Sequence, residues 1–235
     1  NVAIGSGAMY GNSGNSTGSN NVAVGVSALN VNRAGASNVA VGVGALAANT
    51  TASNNTAIGA GAASGTTTGA SNVAIGVNAL DLNVGGAYNV AIGHLCNDTA
   101  TGSSNNVAMG YNALSAANGS NNTAIGHQCM KNSTSTYSTA MGYNALTGAG
   151  GDYACAFGMN AAAANTANAT IAMGYGAATA NTSGARNIAI GYEAYDSSDT
   201  ENDNIAIGYE AMTTNTAGGT KNLAIGNYSG DAITS

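Results

Sequence analysis

The chain has 235 residues, of which only 6% are charged, and its net charge is −6. Soluble domains are typically about 25% charged, so Asn, Ser, Thr and Gly must supply most of the polar surface here. The four basic residues (Arg33, Lys131, Arg186 and Lys221) are scattered, which argues against a nucleic-acid partner. No apolar run approaches the roughly 18 residues of a membrane-spanning helix, so we expect no membrane insertion.

A five-residue motif recurs along the whole chain: Asn, an apolar residue or Thr, Ala, a large apolar residue, and Gly, as in residues 72–76. Fourteen copies are present, of which eleven open with Asn and three with Ser138, Ala154 or Thr170, and after a first interval of 20 residues their glycines lie 16 to 18 residues apart. A short period repeated this often is typical of solenoids. The sequence therefore predicts an all-β parallel solenoid, or β-roll, of about 14 coils, with residues 1–235 as a single repeat region.

Alternation within the motif predicts a short strand whose second and fourth residues point to one face and whose third points to the other. The fourth residue is always large and apolar, from Ile4 to Ile225. We therefore expect that face to form the core of each coil. The third residue is Ala in every copy. This predicts that the opposite face packs against a second copy of the chain; a tight interior is the alternative.

Most motifs are followed by a short apolar pair, such as Ala28-Leu29 or Ala45-Leu46, which predicts a second short strand. A polar loop then leads to the next motif; the longest connection spans 10–20, and 16-residue intervals predict tighter loops in 127–174. Stacked Asn side chains at the first motif position predict a structural hydrogen-bonded ladder. Its members are Asn21, Asn38, Asn55, Asn72, Asn89, Asn106, Asn122, Asn187, Asn204 and Asn222.

The residue after each motif glycine is expected on the outer surface, where the chain bends. From the sixth copy onward this position is mostly aromatic or imidazole: His94, Tyr111, His127, Tyr143, Tyr175, Tyr192 and Tyr209. Aromatic side chains in a column suit a receptor-binding strip, for cell-surface glycan or protein. The alternative is that the rings stack only to support neighbouring coils.

Acidic residues gather late in the chain, at Glu193, Asp196, Asp199, Glu201, Asp203 and Glu210. Glu193 and Glu210 share one repeat position, which would bring their carboxylates about 5 Å apart in adjacent coils. A bound Ca²⁺ would relieve the repulsion, and a solvated acidic loop is the alternative. We expect no other cofactor. No catalytic set is legible, so we do not expect an enzyme.

Three cysteines interrupt the repeat. Cys96 and Cys129 stand where Ala is usual, and Cys155 stands at the second motif position. Their spacing matches no metal-ligand pattern, and about two coils separate the first two, which is too far for a disulfide. We interpret all three as small buried hydrophobic residues.

The repeat unit in residues 106–114 (Asn-Val-Ala-Met-Gly-Tyr-Asn-Ala-Leu) resembles the head repeats of trimeric autotransporter adhesins and, more closely, the fibre repeats of bacteriophage tail proteins. The likeness covers nearly the whole chain. It implies a left-handed β-roll assembled as a homotrimer, within a longer fibre on a virion tail or a bacterial cell surface. Phage fibres of this kind often carry a self-cleaving C-terminal chaperone that cuts after a Ser, which Ser235 would fit.

The expected function is therefore the shaft and receptor-contacting part of an extracellular trimeric tail fibre or surface adhesin that attaches to a host cell. A self-assembling extracellular filament is an alternative, because neither end of the repeat shows a cap. An ice-binding solenoid is a weaker alternative, because Thr residues are scattered in loops instead of forming a column.

Overall fold

A computed structural model describes residues 1–11, 17–99, 101–116, 119–148, 150–197, 200–213 and 219–231. Within these ranges the protein is all-β, with fourteen strands of three residues each and no helix. Each strand consists of the second, third and fourth residues of one motif. The chain divides into two compact units, Asn1–Asn121 and Asn122–Ser235.

Seven strands build the first unit, and each pairs in parallel with the next one along the chain. Equivalent motif residues are partners; for example, Ala74 of one strand pairs with Ala91 of the next, 17 residues later. The strands are β1 (Val2–Ile4), β2 (Val22–Val24), β3 (Val39–Val41), β4 (Thr56–Ile58), β5 (Val73–Ile75), β6 (Val90–Ile92) and β7 (Val107–Met109).

The second unit repeats the same arrangement, with parallel pairs in chain order and in motif register. Its strands are β8 (Thr123–Ile125), β9 (Thr139–Met141), β10 (Cys155–Phe157), β11 (Ile171–Met173), β12 (Ile188–Ile190), β13 (Ile205–Ile207) and β14 (Leu223–Ile225). The predicted parallel β-solenoid is thus confirmed in both units.

The interior of the coils is lined by the small motif residue, not by the large one. Ala74 is completely buried, whereas Ile75 beside it is 36% exposed. The same contrast recurs along both units, so the prediction that the large apolar residue faces the core was wrong. The prediction that the Ala face packs against a second copy fails with it, and the tight interior is the correct reading. The strand turns away after three residues, and the large side chain that fills the interior comes from the following turn, as at the fully buried Leu80.

The segment after each glycine is a turn, so the predicted second strand was also wrong. In the fifth coil, Asn78 and Leu80 both have left-handed backbones, with φ of +51° and +56°. The Leu80 side chain nevertheless points into the interior and is completely buried. Its N–H donates to the carbonyl of Cys96 in the next coil at 2.9 Å, so the turns stack and join the coils as the strands do.

Two further expectations concern segments outside a complete description. The connection at 10–20 lies partly outside the described residues. The acidic residue Asp199 lies outside them as well. In the ranges that the structure does describe, no helix is long and apolar enough to cross a bilayer.

Candidate functional site

The outward faces of the strands carry two parallel columns of side chains, at the second and fourth motif positions, which are apolar except for Thr56, Thr123 and Thr139 in the second column. Side chains of the fourth column are 36% to 43% exposed at several coils, and those of the second column are half-buried. The exposed members include Val41, Ile58, Ile75 and Met109 in the first unit and Met141 and Met173 in the second. Sequence reasoning found these residues but assigned them to the interior. Contiguous exposed apolar surface of this kind marks an interaction site in soluble proteins.

The first-position asparagines join consecutive coils through the main chain. In Asn72, Oδ1 accepts from the Asn89 N–H at 2.9 Å, while Nδ2 donates to the carbonyl of Gly86 at 2.9 Å. The same pair of bonds recurs at Asn38 and Asn55. Asn21 to Asn122, Asn187 and Asn204 are all buried at this position, and Asn222 is half-buried. The amides therefore act mainly as connectors of backbone groups; a direct amide–amide bond is seen from Asn89 to Asn72, at 3.1 Å.

A second buried polar column lies seven residues after the motif glycine, and sequence reasoning missed it. Its asparagines are Asn32, Asn49, Asn83, Asn165 and Asn181. Asn32 closes its own loop: Oδ1 accepts from the Gly35 N–H at 3.0 Å and Nδ2 donates to the Gly35 carbonyl at 2.9 Å. The recurrence of Asn at this position in the sequence was the signal that could have revealed the column.

The predicted aromatic column is exposed and its rings stack on one another. In the first unit, His94 and Tyr111 have ring centroids 5.5 Å apart. In the second unit, His127 stacks on Tyr143 at 5.0 Å. A longer run follows, in which Tyr175–Tyr192 and Tyr192–Tyr209 stack at 5.0 Å and 5.1 Å. Because neighbouring rings cover each other's faces, this surface presents ring edges and hydroxyl groups.

One more aromatic pair lies outside the predicted column. Tyr137 and Tyr153 stack with centroids 5.4 Å apart and planes only 4° apart. Each occupies the left-handed position just before a motif and is exposed. Their 16-residue separation, one repeat interval, was the signal that would have placed them in one column.

Carboxylates of the last coils bond to the aromatic column. Hydrogen bonding to the Glu210 carboxylate, with burial and the Glu210 charge, raises the pKa of Tyr209 to about 12. The Tyr192 hydroxyl pairs with Glu193 in the same way, and its pKa is also raised. Glu193 and Glu210 both have left-handed backbones at equivalent positions of adjacent coils.

The other late acidic residues go to different environments. Asp203 forms a two-point ion pair with Arg186, with Nε–Oδ1 and Nη2–Oδ2 distances of 2.6 Å and 2.9 Å. Glu201 is buried, with 3% of its surface exposed, and its carboxylate accepts hydrogen bonds from Thr200. Among the described residues, no three His, Cys, Asp or Glu side chains converge into a group that could hold a metal ion.

All three cysteines are free thiols. Cys96 and Cys129 are fully buried, and burial raises the pKa of each thiol to about 12. Cys155 differs because it lies at the second position of β10, on the outward apolar columns, and is only half-buried.

Comparison of the chain with protein-family models, with curated proteins and with solved structures finds no match. The class of the protein is therefore defined by its geometry alone. It is a repeat protein made of parallel β-solenoid coils, with two outward apolar columns and a stacked aromatic column.

Proposed function

We propose that this chain is a structural and adhesive segment of an extracellular fibre, in which three copies assemble through their outward apolar columns. The single observation that carries the proposal is the exposure of Val, Ile and Met side chains along the strands of both units. A surface of this composition is unfavourable in water, and a second copy of the same column is a chemically matched cover.

The columns have the features of an obligate interface. Apart from Thr56, Thr123 and Thr139 they are apolar; they contain no charged residue and lie on a parallel sheet, whereas the polar loops and charged residues lie elsewhere on the coil. Permanent interfaces between copies are more apolar than ordinary protein surface. The number three, the left-handed coil and the place on a virion tail or bacterial surface rest on the resemblance to tail-fibre and autotransporter repeats.

In this proposal, contact with the host cell falls to the aromatic column. Tyr111, Tyr143, Tyr175, Tyr192 and Tyr209 are 40% to 47% exposed, and His94 and His127 are exposed as well. Since the stacked rings present edges and hydroxyls, the column suits hydrogen bonding to a hydroxyl-rich ligand such as a surface glycan. The rings lie on the bend after the strand, so they stay accessible when the strand faces are covered.

The experiment is the native mass by light scattering, with negative-stain images of the same sample. A mass of three chains in short discrete particles is the expected result. A single-chain mass at micromolar concentration would overturn the assembly, and particles without a defined length would favour the filament alternative.

A matched pair of variants locates the interface. Ile58→Lys places a charge on the apolar columns, where the native side chain is 41% exposed, and should yield single chains that remain folded. Thr51→Lys adds the same charge on an exposed loop position and should leave the mass unchanged. Equal masses for both variants and the native protein would place the interface elsewhere.

A further inference from the structure

We propose that Tyr192 and Tyr209 form an oxidative cross-linking site, at which a peroxide-driven one-electron oxidant joins the two rings as dityrosine. The linkage is a covalent bond between adjacent coils of one chain. It is independent of whether copies of the chain assemble.

The two rings are already in coupling position. Their centroids lie 5.1 Å apart and their planes differ by 8°. Strands β12 and β13 pair in register immediately before them, with Ile190 opposite Ile207, which fixes one ring above the other. Both side chains remain about 40% exposed, at 42% and 40%, so an oxidant can reach the ring edges. Tyr209 and Tyr228, by contrast, meet edge to face at 67°.

Each ring also has its own proton acceptor. Glu193 follows Tyr192 and Glu210 follows Tyr209, and interaction with the neighbouring carboxylate raises the pKa of each phenol. A phenol that loses an electron becomes a strong acid, so a bonded carboxylate can take its proton in the same event. Phenols are protonated at neutral pH, so oxidation of either ring must release a proton and an acceptor is needed. Tyr175 stacks equally well on Tyr192 but is followed by Gly176, whereas Tyr192 and Tyr209 are each followed by a glutamate.

The reaction balances with one peroxide for each linkage. Each phenol gives one electron to the oxidant and one proton to its carboxylate, which passes it to solvent. The two phenoxyl radicals then form one C–C bond between ring carbons ortho to the oxygens. The hydrogens on these two carbons move to the phenol oxygens and restore the aromatic rings. In sum, two phenols and H₂O₂ give one dityrosine and two molecules of water.

Oxidation with a haem peroxidase and H₂O₂, at low protein concentration, tests the proposal. Digestion with trypsin and a Glu-specific protease leaves Tyr192 as the only tyrosine in fragment 187–193 and Tyr209 as the only one in fragment 202–210. We expect mass spectrometry to find these two fragments joined, with a loss of two hydrogen atoms, together with dityrosine fluorescence. Linkage mainly through Tyr175 or the Tyr137–Tyr153 pair, or no linkage, would overturn the assignment.

Internal controls are built into the chain. Tyr195 lies between the two residues but is completely buried, so its fragment 194–201 should stay unlinked in the native protein and become linked only after oxidation in urea. Tyr137 and Tyr153 are a second control, because they are exposed and stacked while the nearby Asp152 carboxylate accepts from the Thr136 N–H. We expect less linkage at this pair than between Tyr192 and Tyr209. A mixture of heavy-isotope and normal chains should give no mixed linkage; mixed products would mean coupling between chains.

Variants distinguish the contribution of ring position from that of proton transfer to the glutamates. Tyr209→Phe should abolish the linkage, and Tyr143→Phe should leave it intact. The double variant Glu193→Gln, Glu210→Gln keeps both rings and should lose most of the dityrosine fluorescence in its tryptic fragment 187–221 at neutral pH. Full fluorescence in that variant would show that the carboxylates take no part, and fluorescence retained in Tyr209→Phe would place the linkage elsewhere.

Discussion

Gly76 and Gly93 lie one directly above the other, so closely that a Cβ atom on Gly76 would be 2.5 Å from the Gly93 carbonyl oxygen. The backbone of Gly76 also has φ of +134°, a region that side chains rarely allow. Both restrictions recur at motif glycines in each unit. The glycine therefore lets the chain leave the strand abruptly and lets the next coil approach.

Replacing this glycine should be costly. Gly76→Ala combines the forbidden φ with a clash against backbone, and we expect a loss of roughly 3 kcal/mol in the free energy of unfolding, measured by urea titration. Gly44→Ala is the matched control, because Gly44 has φ of +67° and nothing within 4 Å of its Cβ position. Ser27 and Asn78 occupy the same repeat position with similar φ, so the control should lose only about 1 kcal/mol. Equal losses would contradict the role of close approach.

Because Ala74 faces the interior and Ile75 faces outward, substitutions at these adjacent residues should have different effects on stability. Ala74→Leu inserts three carbon atoms into a filled interior and should destabilise the fold by roughly 1–3 kcal/mol through overpacking. Ile75→Leu conserves volume at an outward position and should change stability by less than about 0.5 kcal/mol. Urea denaturation of dilute single chains makes the comparison. If Ile75→Leu were the more damaging change, the large residues would be the core after all.

The Asn ladder can be tested at Asn72, which accepts from the buried Asn89 N–H. Asn72→Ala leaves that donor without a partner and should cost roughly 2–3 kcal/mol. Asn72→Ser should cost less, because Ser138 holds this position in the ninth coil and its Oγ accepts from the Ala154 N–H at 3.0 Å. Thr51→Ala, on an exposed loop position, is the control and should have little effect. A Ser variant as unstable as the Ala variant would argue that the amide's donor function dominates.

The period, the strands and their register could be predicted from the sequence because one alternating motif recurs at a nearly constant interval. The direction of each face could not, because alternation separates two faces without saying which one is inside. Residue size pointed to Ile75, but the room available is set by how soon the chain turns, and that depends on backbone angles. The Asn and Leu of the turn, as at Asn78 and Leu80, adopt left-handed conformations. Asn, Ser and Gly before the Ala-Leu pair were the available sign of a turn.

The candidate site was likewise only partly predictable from the sequence. Exposure of the aromatic column followed from its place after the bend, whereas ring stacking was only an alternative at the sequence level, because it depends on the lateral fit of the coils. The ion pair of Arg186 with Asp203 needed the coil register as well, since 17 residues separate the two in sequence. Tyr209 and Glu210 are neighbours in sequence, but their interaction could not be predicted because the left-handed turn at Glu210 was not expected.

Thiol labelling provides a test of the outward columns without any mutation. Cys155 lies on those columns and should react with a maleimide in dilute single chains but be protected when copies assemble, so its labelling rate should fall as protein concentration rises. Cys96 and Cys129 should stay unlabelled at pH 8 in either state, because they are buried and their pKa values of about 12 leave almost no thiolate. In urea all three should react. A Cys155 rate independent of concentration would contradict burial of this part of the columns.

A pH-dependent loss of stability is expected from the Asp98 carboxyl. Its pKa is raised chiefly by burial and further by the Asp81 carboxylate, while His94 acts in the opposite direction. Because the folded pKa lies above the unfolded value, the ionised group opposes folding. The penalty is absent below the unfolded pKa and complete once the pH exceeds the folded pKa.

Asp98→Asn removes this ionisation and should therefore stabilise the protein at neutral pH. Urea midpoints of both proteins measured from pH 3 to pH 7 should converge at the acid end and separate as the pH rises, with the variant higher. Asp203 provides the opposite sign, because its pKa is lowered by Arg186, and Asp203→Asn should bring no stabilisation at neutral pH. A constant difference between the Asp98 variant and the native protein across the pH range would show that packing, not ionisation, is responsible.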